Sequence, residues 1–421
     1  MTGNKEVITG SDFKRMVTGA YSEFLLEYEN INVLAKESRS GYTGTPGTNI
    51  LRTMGAAVMP LADTRDESIG GLARRVAAAA VLGARGNSGV VLAQIFRGLA
   101  KGLIGKHNAT SSEFGKAFQY GILYAQRVIP EKPERPIITA AKAVAKGAYH
   151  AVRANLPISE ILDTAIGAGT QSIDAMQKAD AGARIMIVFL QGCLKGLDGN
   201  FVSPTLSFSL GRRVEQDLLP DPRKDLVRPY CLTFTVKNAK ADVEEIEKFL
   251  REYGKFVLVE RTGQTFSVHL HTDHPGQVIE QAVGWGALRD VRISNMAEPH
   301  AMALTNTFMS VALLAVAETA DQAEHLQELG ATVIVTGSSD AGPSVSDFVN
   351  AAHSDIASSY VMAAGSRAVR LVMQQVKRIL GNRVELVLAD DAAGQEAALA
   401  AFDGKLTAKE NARVMQQVFN D

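Results

Sequence analysis

The chain predicts three regions in series: an all-α helical bundle, a ferredoxin-like α+β domain and a small α/β domain. Three observations carry that prediction. Apolar residues recur at helical spacing from about residue 10 to 200, with little alternation to interrupt them. A stretch holding Pro204, Pro220, Pro222 and Pro229 then breaks the periodicity. Beyond it, short alternating runs and amphipathic runs follow in the order β-α-β-β-α-β, and then again as β-α-β. The expected boundaries are 1–202 for the bundle, 203–228 for a linker, 229–300 for the middle domain and 301–421 for the last.

In the bundle, "SDFKRMVTGAYSEFLLEYEN" puts Phe13, Met16, Val17, Ala20, Phe24 and Leu25 on one face, with Ser11 as the expected N-cap. "LARRVAAAAVLGA" and "GVVLAQIFRGLAKGL" are apolar on most sides and read as buried helices, and three further helical runs extend to about residue 197. In the middle domain, "YCLTFTV" alternates, and "ADVEEIEKFLREYG" carries Val243, Ile246, Phe249 and Leu250 on one face. "KFVLVE" and "TFSVHLH" flank the turn "RTGQ" as a hairpin. Helix "PGQVIEQAVGWG" and strand "DVRISNM" complete the set. In the last region a helix is expected over 303–329. It is followed by strand "ATVIVTG", helix "SVSDFVNAA", strand "SSYVMAA", helix "SRAVRLVMQQVKRIL", strand "RVELVLAD" and one closing helix, "AKENARVMQQVF".

Composition sets the outer limits. With 46% hydrophobic and 21% charged residues, the chain is an ordinary globular sequence. A net charge of −1 gives no basic footprint for nucleic acid and no polybasic membrane patch. No apolar run is long enough to span a bilayer, because "MALTNTFMSVALLAVA" is interrupted by Thr305, Asn306, Thr307 and Ser310. Two cysteines, Cys193 and Cys231, do not make a disulfide framework, and a cytoplasmic location is expected.

Three segments in the bundle put glycine and small polar residues at a helix start, where backbone amides suit a phosphate. The first is Gly47, Thr48 and Asn49 in "SGYTGTPGTN"; the second is Gly86, Asn87, Ser88 and Gly89 in "GARGNSGVVLAQ"; the third is Asp180 and Gly182 in "DAGAR". Each also suits a plain turn with an N-cap, or a tight kink between packed helices. Three such starts in one domain exceed what packing needs.

The stretch "GARGNSGVVLAQIFRG" resembles the ATP-binding helical domain of bacterial fatty acid kinase, a nucleotide-binding domain of the DhaL type found in dihydroxyacetone kinases. "TGTPGTNILRTM" and "DAGARIMIVFLQGCLKGL" are similar to two further parts of that domain. "PYCLTF", "SVHLHTDHPGQV" and "ISNM" resemble the family's middle domain, and "ATVIVTGSSDAGPSVSDFVNAA" and "AFDGKLTAKENARVM" its C-terminal domain. The resemblance implies ATP as ligand, Mg2+ as its counter-ion, an acyl-binding partner protein that presents a fatty acid, and a homodimer formed through the middle domain.

Against that pattern the first loop departs. The family reads Asp-Gly-Asp-Thr-Gly-Thr-Asn there, and its aspartates hold magnesium against the ATP phosphates. Aligned on Gly47–Asn49, the two aspartates fall on Thr43 and Thr45, and the family's threonine on Pro46. A neutral hydroxyl is a poor replacement for a carboxylate around a hard cation, and loss of metal ligands slows phosphoryl transfer by orders of magnitude. Glu37 is the nearest upstream acid, with Arg39 close beside it. Where the family has Glu-Gly-Thr before a later helix, this chain has Arg135–Pro136, and Pro136 lacks an amide. The resemblance also implies a C-terminal domain roughly twice as long, of which this chain carries about half.

A second candidate lies in "SVHLH". Strand alternation puts His269 and His271 on one face, with Phe266, Val268 and Leu270 on the other. In "YCLTFTV" the core side is Leu232, Phe234 and Val236, so Cys231 faces away from the helices. The first and third strands of a ferredoxin-like sheet are neighbours, which brings Cys231 to both histidines as a set suited to Zn2+. The resemblance implies a metal at these positions too, although Thr233 replaces a family glutamate. His274, Asp273 or water are fourth-ligand candidates, and a histidine pair on a solvated or dimer-facing sheet is the other reading. In "TGSSDAGPSVSD", Ser344 and Asp347 have the spacing of a capping pair.

Three functions stay open on these grounds. One is a kinase-like protein with weak or lost phosphotransfer; another is a working ATP-dependent kinase acting on an acyl group. The third is a small-molecule kinase of the dihydroxyacetone type.

Overall fold

The computed structural model describes residues 6–38, 44–62, 68–128, 136–175, 180–201, 230–295, 300–303, 308–318, 320–337, 342–353 and 356–418. The chain divides into two compact units, 1–218 and 219–421. The whole of the expected linker, and Thr43, Arg39 and Arg135, lie outside the described residues.

The first unit is built from α1 (Gly10–Ser38), α2 (Pro46–Val58), α3 (Ile69–Leu82), α4 (Gly86–Gly102), α5 (Ser111–Val128), α6 (Pro136–Arg153), α7 (Ile158–Ala175) and α8 (Ala181–Asp198). A small antiparallel ribbon of β1 (Val7–Ile8) and β2 (Ala109–Thr110) ties the segment before α1 to the connection between α4 and α5. Helix α1 packs along α8, α4 along α5, and α6 along α7. Phe13, Met16, Val17, Ala20 and Phe24 are all buried, as their spacing requires. Phe96 of α4 meets Phe189 of α8 edge to face, with ring centroids 5.6 Å apart. The cap of α1 is Thr9, not Ser11. The Asp12 carboxylate accepts from the Thr9 amide at 2.9 Å, and the Thr9 hydroxyl oxygen accepts from the Asp12 amide at 3.2 Å. That reciprocal pair satisfies two donors at once, which a serine further into the helix cannot do.

The second unit opens with β3 (Tyr230–Lys237), α9 (Val243–Tyr253), β4 (Gly254–Thr262), β5 (Thr265–Thr272), α10 (Pro275–Trp285) and β6 (Ala287–Asn295). The strands form one antiparallel sheet in the order β4-β5-β3-β6. Leu232, Phe234, Val236, Phe266, Val268 and Leu270 form one buried cluster with Ile246, Leu250, Val278 and Trp285 of the helices. This is the core face that the alternation predicts.

The chain continues through β7 (His300–Ala303), β8 (Met309–Ala317), α11 (Ala320–Glu328), β9 (Val333–Thr336), α12 (Val345–Ala352), β10 (Ala357–Ala364), α13 (Arg370–Leu380), β11 (Val384–Leu388), α14 (Ala392–Ala400) and α15 (Ala408–Gln417). The sheet order is β11-β10-β8-β9-β7; the first four strands are parallel and β7 is antiparallel. The helix expected over 303–329 is a correction. Met309–Ala317 is a central strand, and the helix of this segment is only Ala320–Glu328. Val311 to Ala317 are buried on both faces of the sheet. A continuous apolar run has no period by which to tell a central parallel strand from a buried helix. A second correction is α14, an Ala-rich helix before the closing one. The Ser344–Asp347 pair is a capping box at the start of α12.

Candidate functional site

The helical unit brings two of the three helix starts into contact. Gly47, Thr48 and Asn49 are not ahead of a helix but inside the first turn of α2, and all three are buried. The Asn49 side chain lies against Gly86, where a Cβ would sit 2.6 Å from Asn49 Nδ2. Gly86 adopts φ +56°, a conformation that side-chain-bearing residues rarely take. The Thr53 hydroxyl donates to the Asn49 carbonyl at 2.7 Å and accepts the Arg85 amide at 3.1 Å, which ties α2 to the turn before α4. Gly89 packs against the same Thr53 hydroxyl. The third start joins through an apolar crevice, lined by Ser88 from α4 and Gly182 from α8 together with Val91, Leu92, Met186 and Phe189. Asn87 faces solvent beside it.

Local chemistry at the start of α2 is neutral. Thr45 is the N-cap residue of α2 and makes no side-chain capping bond, and the first turn holds no acid. Asn32 of α1, which sequence reasoning missed, accepts the Gly47 amide at 2.7 Å and donates to the Thr48 hydroxyl oxygen at 2.9 Å. Its signal was in the chain only as one asparagine on an otherwise ordinary helix. Gly47 itself packs on the backbone of α1, and a Cβ there would sit 2.0 Å from Tyr28 O. Close packing therefore accounts for Gly47, Gly86 and Gly89, contrary to the expectation that these glycines exceed structural need. Asp180 caps α8, accepting the Ala183 amide at 3.0 Å. Glu27 is paired with Arg184 at 3.0 Å, and both line an open hollow with Glu37. Pro136 begins α6, where a missing amide costs no helical bond.

The second unit brings the other predicted set together. Cys231 of β3 stands directly opposite His271 of β5, and His269 is opposite Thr233, two pairs along. Side chains two apart share a face, so all three point away from the helices. The ligand atoms of Cys231, His269 and His271 lie within 4.8 Å of one another, and Cys231 Sγ is 3.9 Å from His269 Nδ1. All three residues are buried. Cys231 belongs to the apolar cluster of the parallel layer, with Val311 and Leu313 of β8 and Met415 of α15. The histidine face is therefore neither solvated nor open.

Burial pushes the Cys231 thiol up to about 12, because a thiolate there would lose its hydration. A cation at the same point reverses that preference. Donors around a tetrahedral zinc ion stand about 3.5 Å apart, given Zn–S near 2.3 Å and Zn–N near 2.0 Å. The observed spacing needs only small side-chain rotations to reach that value, so the donors present fit zinc. Asp273 and His274 lie past the end of β5 and pair with each other at 3.6 Å, outside the donor set.

Family models match three successive parts of the chain. A DAK2 domain covers residues 44–195. The middle domain of FakA-like fatty acid kinase proteins covers 228–303, and their C-terminal domain covers 312–421. An uncharacterized protein of Staphylococcus epidermidis is 27% identical over 368 residues, spanning 80% of this chain and 67% of its own length. A second from the same species is 25% identical over 403 residues, 88% of this chain and 73% of its own. An uncharacterized Staphylococcus aureus protein is 24% identical over 410 residues, 90% and 74% respectively. The helical unit, the four-stranded sheet and the parallel layer thus follow one another as these three models do, and the chain belongs to the FakA-like family of fatty acid kinase proteins.

Proposed function

We propose that this is a fatty-acid-kinase-like protein whose helical unit accepts a nucleotide but transfers phosphate weakly or not at all. The observation that supports this reading most is the start of α2. Pro46 has no amide, Asn32 takes that of Gly47, and Thr45 supplies a neutral group where the resembling family has a carboxylate. Hard divalent cations need anionic oxygen. Without it, Mg2+ has no side chain at this helix start to hold it against the phosphates, and transfer loses charge neutralisation. Asn49, Asn87, Ser88 and Gly182 still offer neutral contacts to a nucleotide.

On this reading Cys231, His269 and His271 would hold a zinc ion, which when bound would supply Lewis-acid chemistry. The chain's own residues fix the donors and exclude bulk water. The β-α-β-β-α-β order with antiparallel neighbours β4-β5-β3-β6 supports a ferredoxin-like middle domain running from about 229 to 300. An acyl-binding partner protein and a homodimer complete the proposal.

Calorimetry with ATP, with and without magnesium, tests it. Weak binding that magnesium does not strengthen is the expected result. Tight magnesium-dependent binding, with Glu27, Glu37 and Asp180 as candidate ligands, returns the chain to the working kinases.

A further inference from the structure

The net charge of −1 conceals a local excess of the opposite sign. Residues 68–128 hold eight Lys and Arg and a single acid, Glu113. Glu113 is paired with Lys106 at 2.6 Å. Most of the remaining cations lie on the exposed sides of three adjacent helices: Arg74 and Arg75 of α3, Arg97 and Lys101 of α4, Lys116 and Arg127 of α5. Helices α3 and α5 both flank α4. The backbones of α4 and α5 come so close that a Cβ on Gly98 would sit 2.4 Å from Tyr120 O. Arg97 donates to Gln94 Oε1, and Arg127 lies over the Tyr124 ring. Among the described residues none of the six is paired with a carboxylate.

Apolar side chains stand among these charges. Tyr120 and Leu123 of α5 are 49% and 48% exposed, and Ile104, in the turn after α4, is 65% exposed. We propose that this face seats the protein on an anionic lipid bilayer. Unpaired cations spread over a convex helical surface match a diffuse layer of phosphate headgroups, each strengthening association roughly fivefold. Ile104, Tyr120 and Leu123 are the aliphatic and amphipathic residues that enter the headgroup boundary. A nucleic-acid backbone would use the cations but not the exposed Ile104. An acidic protein would use fixed charges around pockets for its anchors, and the cavities described for this unit lie elsewhere, in the bundle interior and beside α1. The inference stands apart from the nucleotide and zinc readings.

The test is sedimentation of the full chain with phosphatidylcholine vesicles, with and without phosphatidylglycerol. Binding that requires phosphatidylglycerol and weakens with salt is expected. The charge-reversed variant Arg97→Glu/Lys101→Glu/Lys116→Glu should lose vesicle binding, and Arg97→Lys should keep it. Ile104→Asp should lower partition at every salt concentration. All are exposed positions, and an unchanged melting temperature shows that folding is intact. Absence of binding to phosphatidylglycerol vesicles at low salt overturns the proposal. So does equal binding to both vesicle types, or binding that the charge reversal leaves unaltered. Tighter, charge-dependent binding to duplex DNA or to an acidic protein than to the vesicles overturns it too.

Discussion

The two candidate sites differ in the kind of side chain they gather. At the helix starts of the first unit, the polar groups have partners within the fold: Asn32 holds Gly47 and Thr48, Thr53 holds Arg85, and Asp180 holds Ala183. In the second unit, Cys231, His269 and His271 converge from two paired strands on one buried point. Neutral capping groups stabilise helices whether or not a ligand is present. Buried histidines cost free energy unless they are hydrogen-bonded or hold an ion. The lesson is that a ligand site is better recognised by metal-binding side chains that converge on one buried point than by glycines at helix starts.

The largest expected effect tests the donors that remain. Cys231→Ser should lower zinc affinity by more than the roughly 100-fold seen when only a group supporting a metal ligand is lost. Metal content after dialysis measures it, and chelation should lower the melting temperature of the wild type but not of the variant. Zinc retained at full stoichiometry by Cys231→Ser would erase the contrast between the sites.

Next in size is the packing role of the glycines. Gly47→Ala places a methyl against the Tyr28 carbonyl, and overpacking of that kind costs about 1–3 kcal/mol. Urea unfolding should show the loss. If Gly47→Ala keeps wild-type stability yet fails to bind ATP, Gly47 serves the ligand and not the fold.

How far the sequence could be read follows from the same physics. The middle domain was legible because period-two alternation fixes which face each residue takes, and this placed Cys231 and both histidines together. That the parallel layer buries this face was not legible, because Cys231 lies some eighty residues before Val311 and Leu313, and no local pattern links such segments. Strand β8 was misread because it is apolar throughout. The basic face over α3, α4 and α5 was hidden by averaging charge over 421 residues. Asn32 was missed because a single asparagine at mid-helix carries no spacing signal.

A smaller effect reverses the comparison instead of breaking it. Thr43→Asp/Thr45→Asp supplies the carboxylates that the first loop lacks. If that loss is what separates this chain from a magnesium-dependent site, ATP affinity should rise about thirtyfold on adding magnesium, the size expected if each of the two carboxylates adds about 1 kcal/mol toward the ion. Calorimetry reads the difference, and no gain means that residues 43 and 45 do not face the nucleotide.

The smallest effect separates two meanings of one aspartate. Asp180 begins α8 at the mouth of the crevice that Gly182 and Ser88 line, so it is placed equally well to cap the helix or to hold a cation. Asparagine keeps the accepting oxygen and removes the charge. Asp180→Asn should therefore leave stability within about 0.5 kcal/mol, while Asp180→Ala should lose about 1 kcal/mol, because Asn caps nearly as well as Asp and Ala does not. A cation held by Asp180 gives the opposite pattern in ligand binding: the asparagine variant would lose magnesium dependence as fully as the alanine variant. Unfolding curves and calorimetry on the same two proteins thus distinguish a helix cap from a metal ligand, and the Ala183 amide already at 3.0 Å from the carboxylate favours the cap.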